Sequence, residues 1–194
     1  MSLAIRSYRG AAIAPMVEDF AHLRMSVFRD WPYLYDGDLD YERRYLADYT
    51  RSDSILVAAF DGDRLVGGST GLPLSDHSEG AADLAHALPC DAKNVYYCAE
   101  SVLLSTHRGQ GAYRRFFTLR EDHARSLNCT YAIFAAVIRP ADHPLRPAGA
   151  QTLDPVWRHY GYAPLPGVTT TISWRDIGDA AETPKPLQVW IKPL

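Results

Sequence analysis

The stretch Tyr97-Cys98-Ala99-Glu100-Ser101-Val102-Leu103-Leu104-Ser105-Thr106-His107-Arg108-Gly109-Gln110-Gly111-Ala112 decides how this sequence is read. An apolar, β-rich run from Asn94 to Leu104 ends in a glycine-containing turn, and a long helical pattern follows at once, from Gln110 to Leu127. A strand running into such a turn makes an anion site. Glycine lets the backbone approach a ligand closely, and the first free N–H groups of the helix point outward at the positive end of its dipole. Two nucleotide loops fail on residues. A Walker-type phosphate loop needs Gly-Lys-Ser/Thr, but Ala112-Tyr113 follows Gly111. A dinucleotide fingerprint needs a third glycine where Arg114 stands.

Toward the N-terminus, Leu3–Ser7 reads as a short strand and Pro15 as the first turn of a helix. Glu18 and Asp19 sit near the positive end of that helix, with Arg24 and Arg29 near its negative end. Its apolar face carries Val17, Phe20, Ala21, the stem of Arg24 and Phe28, and Trp31-Pro32 stops it. Asp38 caps a second helix, in which Tyr41, Tyr45 and Tyr49 recur every fourth residue, a stripe that suits core or cleft wall. Ser54–Phe60 and Arg64–Leu72 form a hairpin around Asp61-Gly62-Asp63. Residues 76–90 read as a short helix or lid.

Toward the C-terminus, Gln110–Leu127 places Ala112, Phe116, Leu119, His123 and Leu127 on one stripe, with Glu121 and Arg125 as a favourable pair. Tyr131–Ile138 is a buried strand by its continuous apolar character. A Pro- and Arg-rich loop, Arg139 to Gln151, leads to a short helix capped by Asp154 and broken at Gly161. Val168–Trp174 and Leu187–Ile191 close the chain as strands. The order is mixed α/β, with a mostly antiparallel sheet, one parallel crossover and flanking helices.

At 194 residues, 47% hydrophobic and 22% charged, the chain suits one folded domain over 1–194 and excludes disorder or coiled coil. The formal charge of −3, with no basic block, argues against nucleic acid or an anionic membrane as partner. Cys90, Cys98 and Cys129 fit neither a disulfide framework nor zinc-ligand spacing, and suit a reducing cytoplasm. Arg6 and Arg9 ahead of Ala11–Val17 faintly mimic a signal peptide, but the apolar run is short and contains Pro15. Ser126 to Ile138, the longest uncharged stretch, is too short to span a bilayer. His77 and His86 have no ligand spacing, so no metal is expected.

The turn Arg108-Gly109-Gln110-Gly111-Ala112, set between strand and helix in this element order, resembles the acyl-CoA pyrophosphate loop of the GCN5-related N-acetyltransferase (GNAT) superfamily. Gly109 and Gly111 match the family loop; Thr106 holds its first position, and Tyr113 stands where many members have a small residue. The resemblance implies acetyl-CoA as co-substrate and no metal. Arg108, Gly109, Gln110, Gly111, Ala112 and Tyr113 would lie at the pyrophosphate. Backbone amides around Val102, Leu103 and Leu104 would hold the thioester carbonyl and pantetheine arm. Glu100 interrupts the apolar strand where several members carry a general-base glutamate, and a carboxylate suits removal of the ammonium proton. The family's usual general acid, a Tyr in the last helix, is replaced by Trp157, with Tyr160 as a neighbouring candidate.

Arg139, His143 and Arg146 follow the buried strand in a loop suited to line an acceptor pocket, and their charge suits a carboxylate or phosphate on the acceptor. Cys98, two residues from Glu100 and read on the same strand face, leaves an acyl-cysteine route open. The reading is therefore a cytoplasmic enzyme moving an acetyl group to the amine of a small, acidic acceptor by direct attack. The alternatives are a non-catalytic CoA-binding sensor or assembly module, or a protein-lysine acetyltransferase. A homodimer is an open option.

Overall fold

The computed structural model describes residues 3–51, 53–77 and 81–194. Strand β1 (Ala4–Arg9) is followed by a 3-10 turn containing Pro15 and then helix α1 (Val17–Phe28). The helix turns Phe20, Ala21, Leu23 and Arg24 inward. Arg24 is 6% exposed, so its guanidinium is buried along with its stem, which the sequence pattern did not anticipate. Helix α2 (Leu39–Ala47) starts at Asp38, whose carboxylate accepts from the Tyr41 amide at 2.7 Å, the expected cap.

Strands β2 (Ile55–Asp61) and β3 (Arg64–Pro73) form the expected hairpin. Helix α3 (Ala81–Ala87) lies within the segment read as helix or lid, of which residues 78–80 fall outside the described residues. Helix α4 (Ala112–Ser126), strand β6 (Tyr131–Val137) and the short helix α5 (Asp154–His159) follow the sequence reading closely. Leu153, rather than Asp154, occupies the cap position of α5. The closing strands β7 (Ala163–Trp174) and β8 (Thr183–Pro193) are longer than the sequence pattern marks, because their ends pair beyond the apolar alternation.

The one strand expected over Asn94–Leu104 is in fact two, β4 (Val95–Tyr97) and β5 (Ser101–Leu103). Ala99 N–H donates to the Thr70 carbonyl and Thr70 N–H to the Glu100 carbonyl, each at 3.2 Å. Two residues thus oppose one, which is a β-bulge. Before it, β4 runs parallel to β6, the last rung being Cys98 N–H to the Ile133 carbonyl at 2.8 Å. After it, β5 pairs with β3. The sheet order is β1-β2-β3-β4-β6-β8-β7, so strands β5 and β6 part company at the bulge and leave an opening between them.

The sheet carries two large cores and a smaller cluster around Ala135, Trp174 and Leu187. Phe20, Leu46, Tyr49, Leu56, Leu72 and Ile133 pack with α1 and α2. Ile55, Val57, Cys98, Phe116, Phe134 and Trp190 pack with α4. The bulge therefore separates Cys98, in the α4 core, from Glu100, which points toward α1 and α2. The two do not share a face, because the extra residue resets the alternation. The shared-face geometry behind an acyl-cysteine route is absent, and burial pushes the Cys98 thiol up, away from the thiolate.

Candidate active site

A 3-10 turn, Ser105–His107, carries the chain from β5 to α4. Gly109 and Gly111 hold left-handed φ angles of 77° and 80°, and a Cβ built on either meets nothing within 4 Å. The glycines are thus required by backbone conformation, and the space above them is open. Gly111 caps α4 without any side-chain hydrogen bond, and the first turn carries no acid. The leading N–H groups are left to an external acceptor, a fit to the diphosphate of CoA.

Arg108 Nε donates to the Leu103 carbonyl at 3.4 Å, tying the turn to the end of β5. Arg108 also lines a cleft of about 360 Å³ with Asp30, Trp31 and residues 147–151. Gln110 is exposed, and Ala112 is buried under the turn. Tyr113 turns its ring sideways: its hydroxyl accepts from Trp157 Nε1 at 3.2 Å, and its ring meets Phe117 edge-on at 5.2 Å. Its bulk therefore leaves the glycine turn clear.

The amides of β5 differ in what they can offer. Leu104 N–H donates to the Val66 carbonyl at 2.9 Å, and Thr70 N–H to the Glu100 carbonyl, so even-numbered residues of this strand face β3. Val102, opposite Gly68, follows the same rule. The amides of Ser101 and Leu103 point the other way, into the opening toward β6. Of Val102, Leu103 and Leu104, then, only Leu103 presents its N–H there; Ser101, which residue type could not reveal, is the second.

Glu100 is 6% exposed and heavily engaged. Arg24 Nη1 and the Tyr45 hydroxyl reach its Oε2 at 2.5 and 3.1 Å, and Thr70 Oγ1 donates to its Oε1 at 2.5 Å. Arg24 Nε binds Glu42 Oε2 at 2.6 Å, and Glu42 is wholly buried with its Oε1 unpartnered. One buried cation thus holds two carboxylates. Tyr49 extends the network through Tyr45 at 2.9 Å, and burial, reinforced by Glu100, pushes both phenols well up. The tyrosine stripe is core wall at Tyr49 and cleft wall at Tyr41, which with Tyr35 and Trp174 lines a cleft of about 320 Å³.

The loop after β6 departs from the sequence reading. Arg139 is spent on the fold: it forms a two-toothed pair with Asp176 at 2.6 and 2.9 Å and donates to the Pro32 and Tyr33 carbonyls. Its side chain is buried, with four hydrogen bonds committed to the fold. Arg146 donates to the Ala141 and Ala150 carbonyls within its own loop, and His143 packs against Trp31 with ring centroids 5.4 Å apart. The three do not converge. Tyr160 stacks on Phe117 at 4.4 Å as part of the α4 core. Among the described residues no group of His, Cys, Asp or Glu has metal-binding geometry, and no helix is long and apolar enough to cross a membrane.

The sequence model of the acetyltransferase (GNAT) family matches residues 19–147. No curated protein matches. Among solved structures, a ribosomal-protein-alanine N-acetyltransferase from Brucella melitensis aligns over 99% of this chain and 100% of its own, at 16% identity and a TM-score of 0.62. A GCN5-related N-acetyltransferase from Kribbella flavida aligns over 100% and 98%, at 18% identity and TM-score 0.57. A protein from Salmonella typhimurium solved with its cofactor acetyl-CoA aligns over 100% and 95%, at 12% identity and TM-score 0.58. At such identities these likenesses concern the fold.

Proposed function

The chain belongs to the GNAT acetyltransferase family, and from that premise we propose that it is a single-domain enzyme that transfers an acetyl group from acetyl-CoA to a small amine by direct attack. The observation that carries this reading is the continuous path from the bulge, past the outward amides of Ser101 and Leu103, to the left-handed glycine turn and the uncapped start of α4. One end of that path suits a carbonyl and the other a diphosphate.

In this reading the turn from Arg108 to Tyr113 holds the diphosphate through backbone N–H groups, with Arg108 bracing the loop. Leu103, with Ser101, orients the pantetheine arm and the thioester carbonyl, while Val102 and Leu104 fix their strand against β3. Glu100 takes the ammonium proton. A carboxylate offers about four lone-pair directions, and Arg24, Tyr45 and Thr70 occupy three here. The remaining one is the acceptor for the proton. Tyr113 returns a proton to the departing thiolate: its oxygen accepts from Trp157, which leaves its own O–H free to donate. The acceptor is a small amine with no requirement for an acidic group, since Arg139 is not free to recognise one.

Thiol release from acetyl-CoA in the presence of pooled amines tests the reading. Amine-dependent release supports the enzyme. Binding of acetyl-CoA without release, over the whole amine pool, would leave a CoA-binding module instead.

A further inference from the structure

Helix α4 sends a cation beneath the bulge. Arg120 is 2% exposed, and among the described residues no carboxylate lies within ion-pair distance of it. Its Nη1 donates to two backbone carbonyls, Glu100 at 3.0 Å and Thr70 at 3.2 Å. The Glu100 carbonyl also accepts from Thr70 N–H at 3.2 Å and from Ser69 Oγ at 3.0 Å. Three donors converge on one oxygen, one of them charged, while Arg120 Nε is buried without a partner. Its guanidinium also lies 5.4 Å from the centroid of the Phe117 ring. A buried guanidinium held by carbonyls and a ring face, with no carboxylate, is costly. Bracing a bulge requires a donor, and a neutral one would suffice.

The charge has a use on the far side of the same peptide. In a planar trans peptide the N–H points opposite to the C=O. The Glu100 carbonyl is aimed at β3 and Arg120, so the Ser101 N–H is aimed into the opening between β5 and β6. Hydrogen bonds in series polarise one another, and a charged donor does so most strongly. We propose that Arg120 is a positioning residue for acyl transfer: it fixes the bulge and polarises the Glu100–Ser101 peptide, making Ser101 N–H a stronger donor to the thioester carbonyl. That donor gains most where negative charge collects on the carbonyl oxygen as the amine attacks. The proposal rests on the reading of this opening as the acetyl-CoA site.

The test uses the full chain and acetyl-CoA labelled with ¹³C at the thioester carbonyl, followed by difference infrared spectroscopy, which needs no acceptor. In the wild type the bound carbonyl stretch lies below that of free acetyl-CoA. Arg120→Gln, which keeps a donor but removes the charge, raises the stretch back toward the free value. CoA itself, lacking the thioester, binds the variant within about twofold of wild type. Thiol release falls about tenfold in kcat with KM nearly unchanged, less than the 10²–10³ lost when an oxyanion donor is removed outright. Ser69→Ala removes a different donor from the same carbonyl and raises the stretch by a smaller amount, which decides the matter if Arg120→Gln does not fold. An unchanged stretch in the folded variant, or a wild-type stretch equal to the free one, overturns the proposal. Absence of any acetyl-CoA binding by the wild type would instead strike the functional reading beneath it.

Discussion

Replacing Glu100 with Gln separates chemistry from structure, because the surroundings of this residue set the size of each effect. The substitution is nearly isosteric, but it changes what Arg24 meets. The bond from Arg24 Nη1 to Glu100 Oε2 at 2.5 Å loses its anionic acceptor and becomes at best a bond from the cation to a neutral amide oxygen, while the bond to Glu42 at 2.6 Å stays. The cation keeps one carboxylate, and the cluster goes from a net charge of −1 to zero. Loss of the ion pair within this hydrogen bond costs at most the worth of a charge-assisted bond, about 1.5–3 kcal/mol. For a chain of this length that lowers Tm by roughly 3–12 °C. Arg24→Met is worse. It leaves Glu42 and Glu100 buried with no cation, at about 3–5 kcal/mol, or roughly 6–20 °C. If Glu100 also accepts the ammonium proton, Glu100→Gln lowers kcat/KM by about 10²–10⁴ in the folded protein, and the acidic limb of the pH–rate profile flattens. Thermal unfolding of both variants, with thiol release across pH for Glu100→Gln, reads out every step. Normal turnover with an intact acidic limb removes Glu100 as the base. A larger Tm loss for Glu100→Gln than for Arg24→Met refutes the charge count.

Acetyl-CoA at about 100 times its Kd stabilises the native state by roughly 2.7 kcal/mol, raising Tm by roughly 5–11 °C. Gly111→Val abolishes that rise, because φ at 80° is strained for valine and the side chain would project into the open space over the turn. Arg139→Ala removes the two-toothed pair but leaves Asp176 with Lys185 at 3.4 Å, so it costs about 1.5–3 kcal/mol, the worth of a charge-assisted hydrogen bond, seen in thermal unfolding, and leaves KM for the amine within about twofold in the folded fraction. Burial holds the His77 and His123 imidazoles below their usual 6.5, only partly offset at His77 by Glu100 and Asp48. The unfolded chain then binds more protons just below pH 6.5. Stability is therefore full above that pH and falls as pH drops through the folded values, and His77→Phe shrinks the fall in pH-dependent denaturation. Tyr113→Phe slows thiol release from acetyl-CoA by about 10²-fold or more with CoA affinity retained.

Much of this molecule is legible because its signals are local. The Asp38 cap, the Asp-Gly hairpin and the glycine turn each depend on residues adjacent in sequence, and each forms where the pattern puts it. Features that join distant segments are not legible that way. Arg24 reads as a helix-face residue whose stem alone is buried, because its partners Glu42 and Glu100 lie 18 and 76 residues away. The bulge is hidden for another reason. A single extra residue leaves composition unchanged while resetting alternation, which moves Glu100 off the face of Cys98 and turns Ser101 outward. The role of Arg139 is not legible either, because a Pro-rich loop gives no hint of a partner as distant in sequence as Asp176.

The sequence does contain a trace of one long-range relation. Two of the positions that depart from the family pattern are Tyr113, where many members have a small residue, and Trp157, where a proton-donating tyrosine is usual. Each is unfavourable alone, the first for bulk and the second because indole is a poor acid. In the structure they meet, Trp157 Nε1 donating to the Tyr113 hydroxyl at 3.2 Å. The bulk is accommodated beside the indole, so the turn stays open. The indole in turn uses one acceptor position of the phenol oxygen and leaves its O–H to another partner, and burial favours the protonated phenol. In the proposed mechanism, a tyrosine supplied from α4 would stand in next to α5 for the acid that α5 itself lacks. Trp157→Phe should therefore reproduce part of the Tyr113→Phe defect, because the phenol loses its orientation but keeps its proton. Defects that multiply independently in the double variant would show that the two residues do not act together.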